Sequence, residues 1–142
     1  AIGGENSTSG AKRFKKTVLN HNPDVLFIDY ALNDRRIGLQ QSEKNLRKMI
    51  KQALKKNIKV ILLTPSPDMS GNWAEAGSQL DSLSKQITAL ADEYGIGLAD
   101  SYKKFREVVA AGKNIQDYMS QSNHPNKLGH QLIADEIMRY FQ

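Results

Sequence analysis

The sequence predicts an α/β fold of three layers, helix on sheet on helix, with a parallel sheet in the middle. Three observations point there. Short β-rich apolar runs stand at residues 24–30, 58–64 and 96–99. Apolar residues at helical spacing fill the segments between them. The runs alternate little between apolar and polar, which suits strands covered on both faces. Strands and helices in alternation imply right-handed crossovers and a layered sandwich. At 142 residues with 39% hydrophobic content, the chain has room for one domain with a real core.

Taken in order, Asp24-Val25-Leu26-Phe27-Ile28-Asp29-Tyr30 reads as the first strand. Leu46, Met49, Ile50, Ala53 and Leu54 then repeat at helical spacing, and Asn57 is a helix-stop signal. Ile58 to Thr64 is the second strand. The stretch Pro65 to Trp73 has no clear periodicity, and it follows the carboxyl end of a strand, where open α/β sheets place ligands. Ser78 followed by Asp81 resembles a capping box for a helix carrying Leu80, Leu83, Ile87, Leu90 and Tyr94, which Gly95 ends. Ile96 to Ala99 is the weakest strand. A helix is expected after Asp100 and Ser101 to near Gly112. Another follows Asn126, with Leu132, Ile133, Ile137 and Phe141 on one side.

Composition narrows the function classes. The absence of cysteine rules out a disulfide framework and a thiolate metal site. The formal charge of +5 is spread along helical segments, as on solvated helix faces, so no nucleic-acid partner is expected. No apolar run is long enough to span a bilayer and no charged-then-apolar stretch opens the chain, so no membrane partner is expected either.

Three short segments combine small, amide and imidazole groups: Gly3-Gly4-Glu5-Asn6-Ser7, Ala31-Leu32-Asn33-Asp34, and Asn123-His124-Pro125-Asn126 with Gly129-His130. Each alone reads equally as a turn, a cap or a helix entry. Together they supply what acyl transfer needs, namely donors aimed at a developing oxyanion and an imidazole to move a proton. In this order they resemble the conserved blocks of SGNH (GDSL-like) hydrolases. Gly4-Glu5-Asn6-Ser7 with Gly10 and Arg13-Phe14 is similar to the second block, Ala31 to Asp34 to the third, and His124 to His130 to the fifth.

The resemblance implies a flavodoxin-like SGNH hydrolase fold and a set of roles. The Gly4 N–H and the Asn33 amide would form the oxyanion hole, and His124 would be the general base. Glu5, Asn6 and Trp73 are candidate substrate contacts, Asn126 would cap the last helix, and His130 would orient or pack. No metal or organic cofactor is implied. The substrate would be a small-molecule or carbohydrate ester, with the enzyme a carbohydrate or small-ester acetylesterase, and an exported location is consistent with the family.

Two departures qualify this. The family's nucleophilic serine lies in a Gly-Asp-Ser block after the opening strand, and residues 1–142 contain no such block. The resemblance therefore implies a single domain, 1–142, that is incomplete at its N-terminus. Ala1-Ile2 would be the end of a second strand, and an upstream segment of the same polypeptide would complete the sheet and bring the serine. The position three before the histidine, usually aspartate in the family, is Gln121. Glutamine can fix the imidazole tautomer but cannot stabilise the imidazolium as a carboxylate does. Gln121 or Asp117 are the candidates for orienting His124. A rival reading from another class is a non-catalytic carbohydrate- or ligand-binding module on the same scaffold. An unrelated flavodoxin-like or receiver-like domain lacks the clustered acids or the glycine-rich phosphate loop it would need.

Overall fold

The computed structural model describes residues 2–142. Its centre is a three-stranded parallel sheet in the order β1-β2-β3, made of β1 (Val25–Ile28), β2 (Lys59–Leu63) and β3 (Gly97–Ala99). Val25 is in register with Lys59, and Ile61 with Gly97. Helices connect and cover the strands: α1 (Ser7–Thr17), the single turn α2 (Ala31–Asp34), α3 (Leu39–Leu54), α4 (Gln79–Tyr94), α5 (Ser101–Ala110) and α6 (Lys127–Met138). A short antiparallel hairpin, β4 (Met119–Gln121) and β5 (His124–Pro125), precedes α6. None of the described helices is long and apolar enough to cross a membrane.

The period-two alternation of side chains along each strand divides the core. Leu26, Ile28, Val60, Leu62 and Leu98 face one layer, where Phe14 of α1, Leu46, Met49 and Ile50 of α3, and Ile87 and Leu90 of α4 enclose them. Val25, Ile61, Leu63 and Ala99 face the other, against Ile133 and Ile137 of α6. Each large aliphatic or aromatic side chain so enclosed contributes roughly 1.5–3 kcal/mol of transfer free energy. A third cluster, built on Trp73, Leu80, Leu83, Tyr102, Phe105 and Met119, lies beyond the carboxyl ends of the strands.

Helix boundaries follow the local chemistry. Ser78 Oγ accepts from Asp81 N at 3.1 Å, and Asp81 Oδ2 accepts in return from Gly77 N at 2.8 Å, one residue before the usual capping-box donor. Asn57 and Gly95 follow their helices with positive φ, at 58° and 61°. Asn126 Oδ1 accepts from Leu128 N and Gly129 N at 2.9 and 3.2 Å, the cap expected for α6.

Besides the β4–β5 hairpin, which was not expected, the structure departs from the sequence reading in three places. The strands are shorter than the apolar runs, since Asp29, Tyr30 and Thr64 already belong to the turns at their carboxyl ends. Helix α1 was not expected, because its buried stripe is Ser7, Gly10, Ala11 and Phe14, helical in spacing but mostly small or polar. Ile2 is not in a strand, for its carbonyl accepts from Glu5 N at 3.2 Å in a turn, and Ala1 lies outside the described residues.

The two sheet edges differ. At β3 the Tyr140 hydroxyl accepts from Leu98 N at 2.7 Å and donates to Leu98 O at 3.0 Å, closing that edge. At β1 no further strand lies alongside among the described residues, and Phe27 is 43% exposed, with Phe141 tilted against it at 6.3 Å between ring centroids. An uncovered edge of this kind invites pairing with another strand.

Candidate active site

The residues singled out as chemical lie at the carboxyl ends of the strands, on three different elements. The first is the turn before α1. Gly4 has φ 69°, a left-handed conformation that glycine adopts without the strain a side chain would add. Its N–H donates to no acceptor among the described residues. Asn6 closes the turn as the N-cap of α1, its Oδ1 accepting from Thr8 N at 3.1 Å.

The second element is α2, which follows β1. Asn33 Nδ2 donates to the Glu5 carbonyl at 2.9 Å. A primary amide carries two N–H groups, so this bond fixes the plane of the amide and leaves the other N–H to donate. Next to it, Asp34 is fully buried and accepts from Ser7 N at 2.7 Å and from Ser42 Oγ at 2.6 Å. Asn33 and Asp34 thus tie α2 to the Gly4 turn at two adjacent points.

The third element is the hairpin. Gln121 stands opposite His124 in its register, with an irregularity between Met119 and Gln121. His124 is exposed, and its carbonyl accepts from Ser120 Oγ at 3.0 Å. Among the described residues the imidazole has no hydrogen-bond partner, although Gln121 faces it across the hairpin. Asp117 contributes its backbone carbonyl to Asn126 Nδ2 at 2.8 Å. The hairpin lies tight on α6: a Cβ built on Gly129 would come within 2.3 Å of the Tyr118 carbonyl and 2.8 Å of Pro125 Cβ.

The loop after β2 joins the second and third elements. Arg35 Nη1 donates to Asp68 Oδ2 at 2.5 Å and Arg35 Nε to the Leu32 carbonyl at 2.9 Å. Ser70 N and Oγ both donate to Asp68 Oδ1, and Met69 N donates to Ser122 O at 2.7 Å. Burial pushes the Asp68 carboxyl up, but the hydrogen bonds from Ser70 and Arg35 outweigh this and hold it below the ordinary carboxylate range. Beneath this strap, Leu32, Met69, Trp73, Tyr118 and Met119 share one apolar cluster, which keeps the Asn33 and His124 elements side by side. A cleft of about 170 Å³ opens along Arg35, Asp68, Ser70, Asn72 and Trp73. Larger clefts, of about 600 Å³ between α4 and α5 and about 620 Å³ at the amino ends of the strands, lie away from these groups.

Three expected substrate contacts have other engagements. The Glu5 carboxylate is 6% exposed and held by both arms of Arg13, Nε at 2.8 Å and Nη2 at 2.5 Å, which keep its carboxyl below its ordinary range. The Asn6 side-chain oxygen is spent on the cap. Trp73 is 8% exposed, set edge-on to Tyr102, and its carbonyl accepts from Tyr102 Oη at 2.7 Å and Ser78 Oγ at 3.0 Å. Sequence reasoning missed Arg35, Ser42, Asn45 and Asp68. The available signal was polar residues, Ser42 and Asn45, on the buried stripe of α3.

The arrangement offers donors for a developing negative charge, Gly4 N–H and the second Asn33 N–H, and a solvent-accessible imidazole across the strap. Residues 1–132 match the model of the GDSL-like lipase/acylhydrolase family. An uncharacterized lipoprotein of Bacillus subtilis (strain 168) is 34% identical over 79 residues, 50% of this chain and 32% of that protein, so the match spans about a third of the relative's length. The fold is shared with an acetyl xylan esterase (TM-score 0.85, 24% identity, 99% of this chain and 78% of that one). It is also shared with an acetylxylan esterase from Geobacillus stearothermophilus (TM-score 0.84, 20% identity, 96% and 67%).

Proposed function

This chain belongs to the GDSL-like lipase/acylhydrolase family, and on that premise we propose that it carries the histidine and oxyanion-hole part of a serine ester hydrolase acting on acetylated carbohydrate or small esters. The observation that carries the reading is the Asn33 amide, fixed by the Glu5 carbonyl at the end of β1 with one N–H left to donate beside the left-handed Gly4 turn. Donors held in place before charge develops are what stabilise a tetrahedral acyl intermediate. The carbohydrate part of the proposal draws on the two acetylxylan esterases that share the fold. An exported setting draws on the lipoprotein of B. subtilis.

In this mechanism a serine hydroxyl attacks the acyl carbon, His124 takes its proton and returns it to the leaving alkoxide, and Gly4 N–H with Asn33 Nδ2–H holds the oxyanion. Water then repeats the sequence to release the acid. Residues 1–142 hold no Gly-Asp-Ser run, and among the described residues β1 has one unpaired edge. We assign the nucleophile to a segment that pairs with that edge, as part of the same polypeptide. Gln121, opposite His124 in the hairpin register, is the group we assign to accept from the imidazole N–H during turnover in place of a carboxylate, a bond that is not made in this structure.

The test is a p-nitrophenyl acetate assay on the full-length protein, before and after a serine-directed phosphonate, with intact mass and peptide mapping of the product. Activity lost with labelling of one serine, and absent in His124→Ala, is the expected outcome. A full-length protein that neither turns over nor labels would move the assignment to a ligand-binding module on this scaffold.

A further inference from the structure

Beneath the two proposed oxyanion donors lies a polar network whose centre, Asp34 with Ser7 and Ser42, is closed off from solvent. Asp34, Ser7 and Ser42 are each 0% exposed and Asn45 is 7% exposed. Asp34 Oδ1 accepts from Ser7 N and Oδ2 from Ser42 Oγ, while Asn45 Nδ2 donates to Ser7 Oγ and Thr8 Oγ1, each at 3.0 Å. Gln41 Nε2 fixes the other end of Asn45 at 2.9 Å. Ser7 and Thr8 begin α1, Asp34 ends α2, and Ser42 and Asn45 lie on α3, so the network binds three helices at one point. No cation lies within 4.0 Å of Asp34 among the described residues. A buried carboxylate in that position is stabilised by hydrogen bonds and by the N-terminus of α1 toward which it points.

Its place in the chain gives the network a use. Asp34 follows Asn33 directly, and Ser7 comes three residues after Gly4. The Asn33–Glu5 and Asp34–Ser7 bonds are therefore two neighbouring rungs between the same pair of segments. With only the Asn33 rung in place the Gly4 turn could pivot about it, and the free N–H of Asn33 would no longer share an aim with the Gly4 N–H. With both rungs, the donors form one rigid unit.

We propose that Asp34 is a positioning residue that locks the Gly4 N–H and the Asn33 amide into a single preorganised oxyanion hole, with Ser42 and Asn45 fixing Asp34 in turn; this rests on the ester-hydrolase reading above. An amide at position 34 has nearly the same shape and can still accept from Ser7 N, while the Ser42 hydroxyl can rotate to accept from its NH₂. Alanine at position 34 removes the Ser7 rung and the Ser42 bond, and leaves only the Asn33–Glu5 rung. Misplacing a catalytic donor by about 1 Å costs up to roughly a hundredfold in rate.

The test uses the full-length protein, with kcat expressed per phosphonate-titrated active site so that loss of folded protein does not count. Asp34→Ala should lower kcat about ten- to a hundredfold with KM changed less than about twofold, and Asp34→Asn should recover to within about threefold of wild type. If Asp34→Ala does not fold, Ser42→Ala is the milder probe and should lower kcat about threefold to tenfold. An independent readout is the Asn33 side-chain NH₂ pair in a ¹⁵N–¹H spectrum: one proton slow to exchange in wild type, both fast in the alanine variant. Unchanged kcat per titrated site in Asp34→Ala or Ser42→Ala, with Asn33→Ala impaired, overturns the positioning role alone. A normal rate in Asn33→Ala overturns the oxyanion reading on which it rests.

Discussion

Replacing Asp68 by asparagine should loosen the strap that joins the donor side of the site to the histidine side, and the cost can be worked from its contacts. The carboxylate is 8% exposed and accepts from Arg35 Nη1, Ser70 N and Ser70 Oγ. Asparagine keeps an acceptor for Ser70 but turns an NH₂ toward the Arg35 guanidinium, donor against donor. A lost charge-assisted bond costs about 1.5–3 kcal/mol. Arg35 is 28% exposed, so water takes over part of its solvation, and about 2 kcal/mol remains. For a chain of this size that is a fall in Tm of about 6–8 °C at pH 7. The Asp68 carboxyl is held below its ordinary value of 3.8, so near that pH the unfolded chain binds more protons than the folded one. The stabilisation is complete above the ordinary value and disappears as pH falls through the lower, folded value. Thermal unfolding followed by circular dichroism from pH 7 to pH 3 should therefore show the gap between wild type and Asp68→Asn intact at pH 7 and closing below about pH 4. A gap that keeps its full size at pH 3, or no gap at pH 7, would refute the assignment of the strap to this carboxylate.

Other substitutions test separate parts of the site. Asn33→Ala should lower kcat on the order of a hundredfold or more with little change in KM, measured by steady-state kinetics on the full-length enzyme, since the lost N–H acts on charge that develops only in the transition state. Gln121→Asp places a carboxylate opposite His124 and should raise kcat/KM and shift its acidic limb upward, because the anion favours the imidazolium. A loss of activity instead would show that the glutamine has its own positioned role. Gly129→Ala puts a methyl carbon 2.3 Å from the Tyr118 carbonyl, and the strain should cost about 1–3 kcal/mol and lower Tm accordingly. An unchanged Tm would mean that the hairpin yields without penalty.

The parts of the fold that were legible in sequence are those whose signal is apolar and local. Val25 to Ile28 and Lys59 to Leu63 are strands, the second buried on both faces from Val60 onward, and Leu46, Met49, Ile50 and Ala53 cover one face at helical spacing. Stop signals such as Asn57 and Gly95 carry their own backbone preference for positive φ. Helix α1 escaped because it packs through Ser7, Gly10 and Ala11, with Phe14 as its one large apolar side chain. Close approach needs small residues there, so good packing erases the amphipathic pattern by which a helix is recognised. The hairpin escaped for another reason: it has only five residues in strands, set by a 3₁₀ turn, by Gly129 beneath it and by Ser122 receiving Met69 N, none of which has a period.

A similar division runs through the site. Gly4, Asn33 and His124 could be proposed from sequence because an oxyanion donor, an amide and an imidazole are few in kind, and acyl transfer demands those kinds. What holds them could not be named, because each holding contact joins residues far apart in the chain and any of several polar types could make it. Asp34 meets Ser7 across 27 positions, Arg35 meets Asp68 across 33, and Asn45 meets Ser7 across 38. On the proposed reading, these contacts decide whether two donors share one target and whether the histidine stays beside them. Glu5 shows the consequence most directly: its residue type suggested a substrate contact, while the structure uses its carboxylate to anchor Arg13 and its backbone carbonyl to aim Asn33. The motif therefore identifies which atoms can react, and the buried polar contacts around Asp34 and Asp68 determine where those atoms point.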